Sequence, residues 1–164
     1  MKKFGIQIVI LLVIIFGALY LFYNSSLLAP FLPGNFPSPA VSQIKVGNVV
    51  IKVEIADTAA KRAQGLSGRD NLASDSGMLF VFPIVKQHQF WMKGMKFSLD
   101  FIFIRDGKVV DLMRKVPPPQ PNQQDNTLTV YEPVVPIDMM LEVNSGFVDA
   151  SNIKVGDQVL LVEN

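Results

Sequence analysis

Hydrophobic positions divide the chain into a uniform stretch, a proline-broken stretch and an alternating stretch. Phe4 to Tyr23 is a run of twenty residues with one strongly polar member, Gln7. As a helix this length spans about 30 Å, the thickness of a bilayer's hydrocarbon core. Lys2 and Lys3 precede it and no charge follows until Lys45. The positive-inside rule therefore predicts a single-pass segment with a cytoplasmic N-terminus and everything downstream outside the cytoplasm. Tyr20, Phe22 and Tyr23 fall where an outer aromatic belt would lie. A cleaved signal peptide would export the same remainder, but its apolar core is normally about 7–15 residues. Asn24-Ser25-Ser26-Leu27 is also a poor cleavage site. The reading is an uncleaved signal anchor over 1–23, with the lipid bilayer contacting residues 4–23. Residues 24–39 carry Pro30, Pro33, Pro37 and Pro39 and no charge, which predicts an extended, semi-rigid stalk.

From 40 to 164 the pattern alternates in short runs. Gln43–Val46 and Val49–Ile55 flank Gly47-Asn48, a two-residue hairpin turn. Asp57 or Thr58 can cap a short helix ending near Gln64, with Gly65 as its stop. Arg69 to Ser76 reads as polar loop. Gly77–Phe82 and Gln89–Lys93 read as short strands with Pro83 between them. Phe97–Ile104 and Lys108–Lys115 flank Arg105-Asp106-Gly107, the strongest hairpin signal. Leu128–Glu132, Asp138–Val143 and Gln158–Val162 bring the total to about eight or nine strands, and Ser151 to Val155 can hold one helical turn. Short strands at regular spacing with little helix predict a mainly β domain, α+β only through one short helix: a compact antiparallel barrel or sandwich behind the transmembrane helix.

Composition narrows the chemistry. Zero cysteines exclude disulfides, thiol nucleophiles and cysteine-ligated metal centres, and one histidine excludes the zinc sites that need two or three. Beyond the anchor, 13 basic residues face 14 acidic ones, so no basic face for nucleic acid is implied. No phosphate-binding glycine loop follows a strand, and no serine sits in a nucleophile-elbow pattern.

A series of short blocks is informative as a set: Arg62, Gly65-Leu66, Arg69 and Leu72; then Gly77-Met78-Leu79-Phe80 with Phe82; then Phe90-Trp91-Met92-Lys93. Leu99-Asp100, Phe103, Gly107, Tyr131, Leu141-Glu142, Gly146 and Gly156-Asp157 complete it. This order resembles the bacterial and archaeal family known as domain of unknown function 192, over about Val46 to Val162. The resemblance implies a small β-rich domain, often exported or anchored, and no established activity, so no catalytic residue follows from it. One departure stands out. The family usually continues tryptophan–methionine–lysine with asparagine–threonine, where this chain has Gly94-Met95.

The candidate ligand-binding residues are Arg62, Arg69, Trp91, Asp100, Tyr131 and Glu142. Trp91 can stack on a flat ligand such as a sugar, but core packing is the favoured reading. Asp100 sits in a nearly all-apolar strand and needs a partner if buried; Arg62 or Arg69 is expected to supply it. Such ion pairs can be structural or can line a polar pocket. Residues 117–126, rich in proline and glutamine, form a long loop able to cover a cleft. His88, Met92, Met95, Met139 and Met140 raise a Cu(I) reading, since thioethers suit soft metals, though methionine more often fills cores. The favoured expectation is a non-catalytic binding or structural module of the cell envelope without a cofactor. It would take a small polar or glycan-like ligand near Trp91, Asp100, Tyr131 and the proline-rich loop, or an envelope protein partner. The alternatives are a hydrolase of envelope polymers using Asp100 and Glu142, and a Cu(I)-handling domain using His88, Met92, Met139 and Met140.

Overall fold

A computed structural model describes residues 41–162. The anchor expected at 1–23 and the stalk at 24–39 lie outside these residues. Among the described residues, no helix is long and apolar enough to cross a membrane.

The domain is one seven-stranded sheet with two short helices. The elements are β1 (Val41–Val46), β2 (Val49–Ala56), α1 (Ala59–Gln64), β3 (Ser76–Lys86), β4 (Leu99–Arg105), β5 (Lys108–Val116), β6 (Ile137–Asn144), α2 (Phe147–Ala150) and β7 (Val159–Val162). The strand order is β5-β4-β6-β3-β2-β1-β7. The two ends of this order meet through a single bridge, Lys108 to Gln158. Flanking backbone bonds run from Val109 N–H to Asp157 O (2.9 Å) and from Val159 N–H to Gly107 O (2.8 Å). The sheet therefore curls into a half-barrel, as the short alternating strands predict.

Local chemistry sets the turns. Asp106 and Gly107 both have positive φ, 51° and 68°, as a two-residue hairpin of the favoured hand requires. Thr58 caps α1, its Oγ1 accepting from Lys61 N–H at 3.2 Å. Gly65 ends the helix and donates its N–H to Lys61 O. This helix makes the connection between β2 and β3, which run parallel. That is the one departure from an antiparallel sheet, and it follows from the crossover, since parallel neighbours cannot be joined by a tight turn.

Other elements differ from expectation. The β3 strand passes through Pro83 to Lys86, with a register shift between Val81 and Lys86; an irregularity of this kind tolerates the missing N–H. Gln89–Lys93 and Leu128–Glu132 are not strands but meet in one bridge, Phe90 to Tyr131. The late helical turn falls on Phe147–Ala150 rather than 151–155.

Strand alternation produces two cores. Ile44, Ile51, Leu79, Ile102, Leu141 and Val159 belong to an aliphatic core that draws on both ends of the strand order. Phe80, Phe90, Phe101, Phe103, Met92 and Met140 belong to a second core on the opposite face. The side chains of β4 from Leu99 to Ile104 are all buried, because this strand has a core on each side. Fully burying one such side chain contributes roughly 1.5–3 kcal/mol.

Candidate functional site

Two carboxylates are buried in the sheet, Asp100 and Glu142. They sit on neighbouring strands, one register step apart: Asp100 lies opposite Val143, and Phe101 opposite Glu142. Opposed residues share a face and successive residues alternate, so the two carboxylates point to opposite faces.

Asp100 is fully buried and completely partnered. Its Oδ1 accepts from Lys115 N–H (2.8 Å). Its Oδ2 accepts from Gly146 N–H (2.9 Å) and Val148 N–H (3.0 Å). Three backbone donors tie the end of β5 and the start of α2 to the centre of the sheet. The expected partners, Arg62 and Arg69, are elsewhere. Arg69 forms a two-pronged pair with Glu54, with Nη2 donating to Oε2 at 2.7 Å. The bonded guanidinium holds the Glu54 carboxyl below its usual range. Arg62 donates Nη1 to the carbonyls of Asp57 (2.6 Å) and Val81 (2.8 Å), and lies 5.8 Å from the Phe82 ring centre.

Glu142 has the opposite environment. It opposes Met78 on one neighbouring strand and Phe101 on the other. Gly77 lets β3 approach here, since a Cβ on it would sit 2.6 Å from Glu142 O. Among the described residues no donor bonds the Glu142 carboxyl. Burial alone pushes its pKa up to about 8, because desolvation disfavours the charged form. At neutral pH the group is mostly protonated, and so can both donate and accept a hydrogen bond.

The carboxyl lines a cavity of about 410 Å³, within the range of small-molecule sites. Leu66 comes from the turn after α1, Phe80 and Phe82 from β3, and Phe90, Trp91 and Met95 from the segment between β3 and β4. The buried Leu66, Phe80 and Phe90 form the deep part with Glu142, whereas Trp91 is 54% exposed and stands at the mouth. This corrects the core reading of Trp91. The Phe90 and Met92 side chains on either side of it enter the aromatic core, which leaves the indole outward. Arg62, Lys86 and Lys93 also line the cavity.

The Gly94-Met95 departure acquires a physical reason here. Gly94 has φ +69°, and a Cβ on it would collide with Ser67 Oγ. Its carbonyl accepts from Gly68 N–H at 2.9 Å, so the two loops that wall the cavity are clamped together. Met95 then gives that wall an apolar side chain where the family pattern carries a hydroxyl.

The remaining candidates are dispersed. Tyr131 packs edge-on against Phe101, with ring centres 6.0 Å apart. It lines a separate cavity of about 180 Å³ under Pro117, Pro118 and Pro119. The paired-carboxylate hydrolase reading fails because Asp100 and Glu142 face opposite sides and Asp100 is saturated with backbone donors. The copper reading fails on similar grounds. Met92 and Met140 are buried in the aromatic core, while Met139 packs against the aliphatic one. His88 stacks on Phe82 at 3.8 Å, and its Nε2 lies 2.9 Å from Ile84 O; burial lowers its pKa. Sequence reasoning missed Phe82 and Lys86 as cavity residues. Phe82 was accessible through alternation, which sets Met78, Phe80 and Phe82 on one face of β3.

The fold and site define a class: a mainly β half-barrel with an open aromatic cavity over a buried carboxyl. The chain belongs to the domain of unknown function 192 family (DUF192), an uncharacterised family whose model matches residues 42–161. Two of the crystal structures similar to it are as follows. One is a candidate transcription regulator from Sinorhizobium meliloti 1021, with TM-score 0.68, 27% identity, and coverage of 76% of this chain and 95% of that one. The other is a protein of unknown function from Novosphingobium aromaticivorans DSM 12444, with TM-score 0.68, 26% identity, and coverage of 77% and 89%. No curated protein matches the chain.

Proposed function

We propose that the domain is a non-catalytic small-ligand-binding module of the cell envelope, held outside the cytoplasm by the apolar segment at residues 4–23. The observation that carries the binding role is Glu142: an acid in the sheet whose carboxyl opens into an aromatic cavity and is bonded by no protein group among the described residues. A ligand seated in the cavity meets a carboxyl that is free to hydrogen-bond it. The aromatic walls give contact area, and Trp91 gives a flat surface for a ring or the apolar face of a sugar. The near balance of 13 basic and 14 acidic residues beyond the anchor favours a small molecule over nucleic acid. The placement rests on the uniform apolar run and the lysines before it.

Trp91 is the only tryptophan in the chain, so its emission reports on this cavity. The full-length chain is titrated with sugars, cell-wall fragments, aromatic acids and amines while emission and melting temperature are followed. A compound that changes both, and whose effect disappears in Glu142→Leu, supports the reading. A panel that leaves both unchanged overturns it. A fusion of the full chain to a periplasm-active reporter tests placement, and activity of a cytoplasm-only reporter at the C-terminus overturns the exported orientation.

A further inference from the structure

The charges around the cavity have one sign. Arg62, Lys86 and Lys93 line it, and Glu142 is the one acid among the lining residues. The three cations differ in availability. Lys93 is held by Asp125 at 2.6 Å. Arg62 spends one guanidinium nitrogen, Nη1, on two main-chain carbonyls and forms no ion pair among the described residues, although the Asp57 carboxylate held by Lys61 feels its charge. Lys86 is exposed at the end of β3 and forms no ion pair among the described residues. Two cations without an ion-pair partner among the described residues therefore stand beside an aromatic surface, with a hydrogen-bonding group beneath it. Charge complementarity at such a mouth favours an anion, while the deep end favours a neutral group that can share a hydrogen bond.

On the reading that this cavity binds a ligand, we infer that the ligand is a small amphipathic anion: a carboxylate or similar group held by Arg62 and Lys86, an aromatic or compact apolar body against Trp91 and Phe82, and a hydroxyl or carbonyl that reaches Glu142. Each part has a physical counterpart. The guanidinium edge left over from the carbonyl bonds can take an oxyanion through charge-assisted hydrogen bonds. The exposed indole supplies the stacking surface, and Phe82, already faced by His88, adds an apolar wall. The buried carboxyl rejects an apolar tip, because such a tip would leave it unpaired. An organic cation would meet Arg62 and Lys86 on the way in.

Four compounds on one skeleton separate these terms: 4-hydroxyphenylacetate, phenylacetate without the hydroxyl, 4-hydroxyphenylethanol without the anion, and tyramine with a cation in its place. Binding to the full-length chain is read from Trp91 emission and checked by calorimetry. The hydroxy acid is expected to bind tightest. Loss of the hydroxyl or of the charge should each weaken binding about tenfold, the scale of one hydrogen bond to a charged or buried partner. Lys86→Gln, an exposed change that leaves the fold intact, should weaken the acid several-fold and leave 4-hydroxyphenylethanol unchanged. Tyramine binding as tightly as the acid, or a ranking indifferent to charge, overturns the inference while leaving a ligand-binding cavity in place. If none of the four binds but a neutral sugar does, the inference again falls and the binding module stands. If neither these nor the wider panel bind, both fall.

Discussion

Asp100 and Glu142 are two buried acids on adjacent strands, with almost the same burial and opposite fates. On the aliphatic face, Asp100 collects three main-chain N–H groups and becomes a structural rivet. On the aromatic face, Glu142 finds no donor among the described residues and is driven toward its neutral form. The difference lies in what covers each face. The end of β5 and the start of α2 bring loose backbone donors to Asp100. The loops over Glu142 bring rings rather than donors, and leave the carboxyl facing an open cavity. Burial alone therefore says little about a carboxylate's role; the inventory of donors around it says much more.

The sharpest way to break the comparison is Asp100→Ala. It strands three N–H groups, one buried and two partly buried, and each buried unsatisfied group costs about 1–3 kcal/mol. A loss of at least about 3 kcal/mol in denaturant unfolding is expected. A loss under about 1 kcal/mol would falsify the rivet.

Glu142→Gln should act in the other direction, and with a pH signature. The folded pKa is raised from 4.5 to about 8, so between those values the folded state holds a proton that the unfolded state has released. Stability from this group is present below pH 4.5 and is lost as pH rises through about 8, with a slope approaching 1.4 kcal/mol per pH unit. The glutamine variant lacks this loss. Its melting temperature should overtake that of the parent as pH climbs from 5 to 9. Parallel curves would mean that the carboxyl is solvated or paired.

A smaller effect separates a paired surface acid from both. Glu54→Gln removes the half-exposed bond to Arg69 and should cost about 0.5–1 kcal/mol near neutral pH. Since the folded pKa of Glu54 is lowered, that contribution is present above its unfolded value near 4.5 and is lost as pH falls through the folded one. A cost that persists unchanged in acid would assign it to packing.

Trp91→Ala should be the mildest on stability, within about 0.5 kcal/mol, because the indole is mostly exposed. It should nonetheless abolish ligand binding, as measured by calorimetry. A large drop in melting temperature would return Trp91 to the core.

Much of the sheet is legible in the sequence because short-range chemistry sets it. Gly47-Asn48 and Asp106-Gly107 mark their hairpins, and Thr58 and Gly65 bracket their helix. The extension of β3 through Pro83 is not legible, because the proline is excused by a partner strand more than fifty residues away. The site was half legible. Glu142 and Trp91 are visible as an acid in an apolar strand and a lone indole in an apolar run. Which charge meets which is not visible: Arg69 finds Glu54 rather than Asp100 because β2 and β3 are parallel, an arrangement no local pattern announces. The split of Met139 from Met140, by contrast, follows from strand alternation alone.

The seam between β1 and β7 has a consequence in time. Val46 pairs with Val159, and Gln43 with Val162, so the first strand of the domain waits for the last. Until β7 emerges, β1 is paired only through the hairpin to β2, and its other edge is bare. Pairings this distant along the chain are slow to form. The nascent domain therefore carries the β1 edge bare until its last strand is made. Anything that guards such an edge, a chaperone or the exit channel itself, has its longest task here.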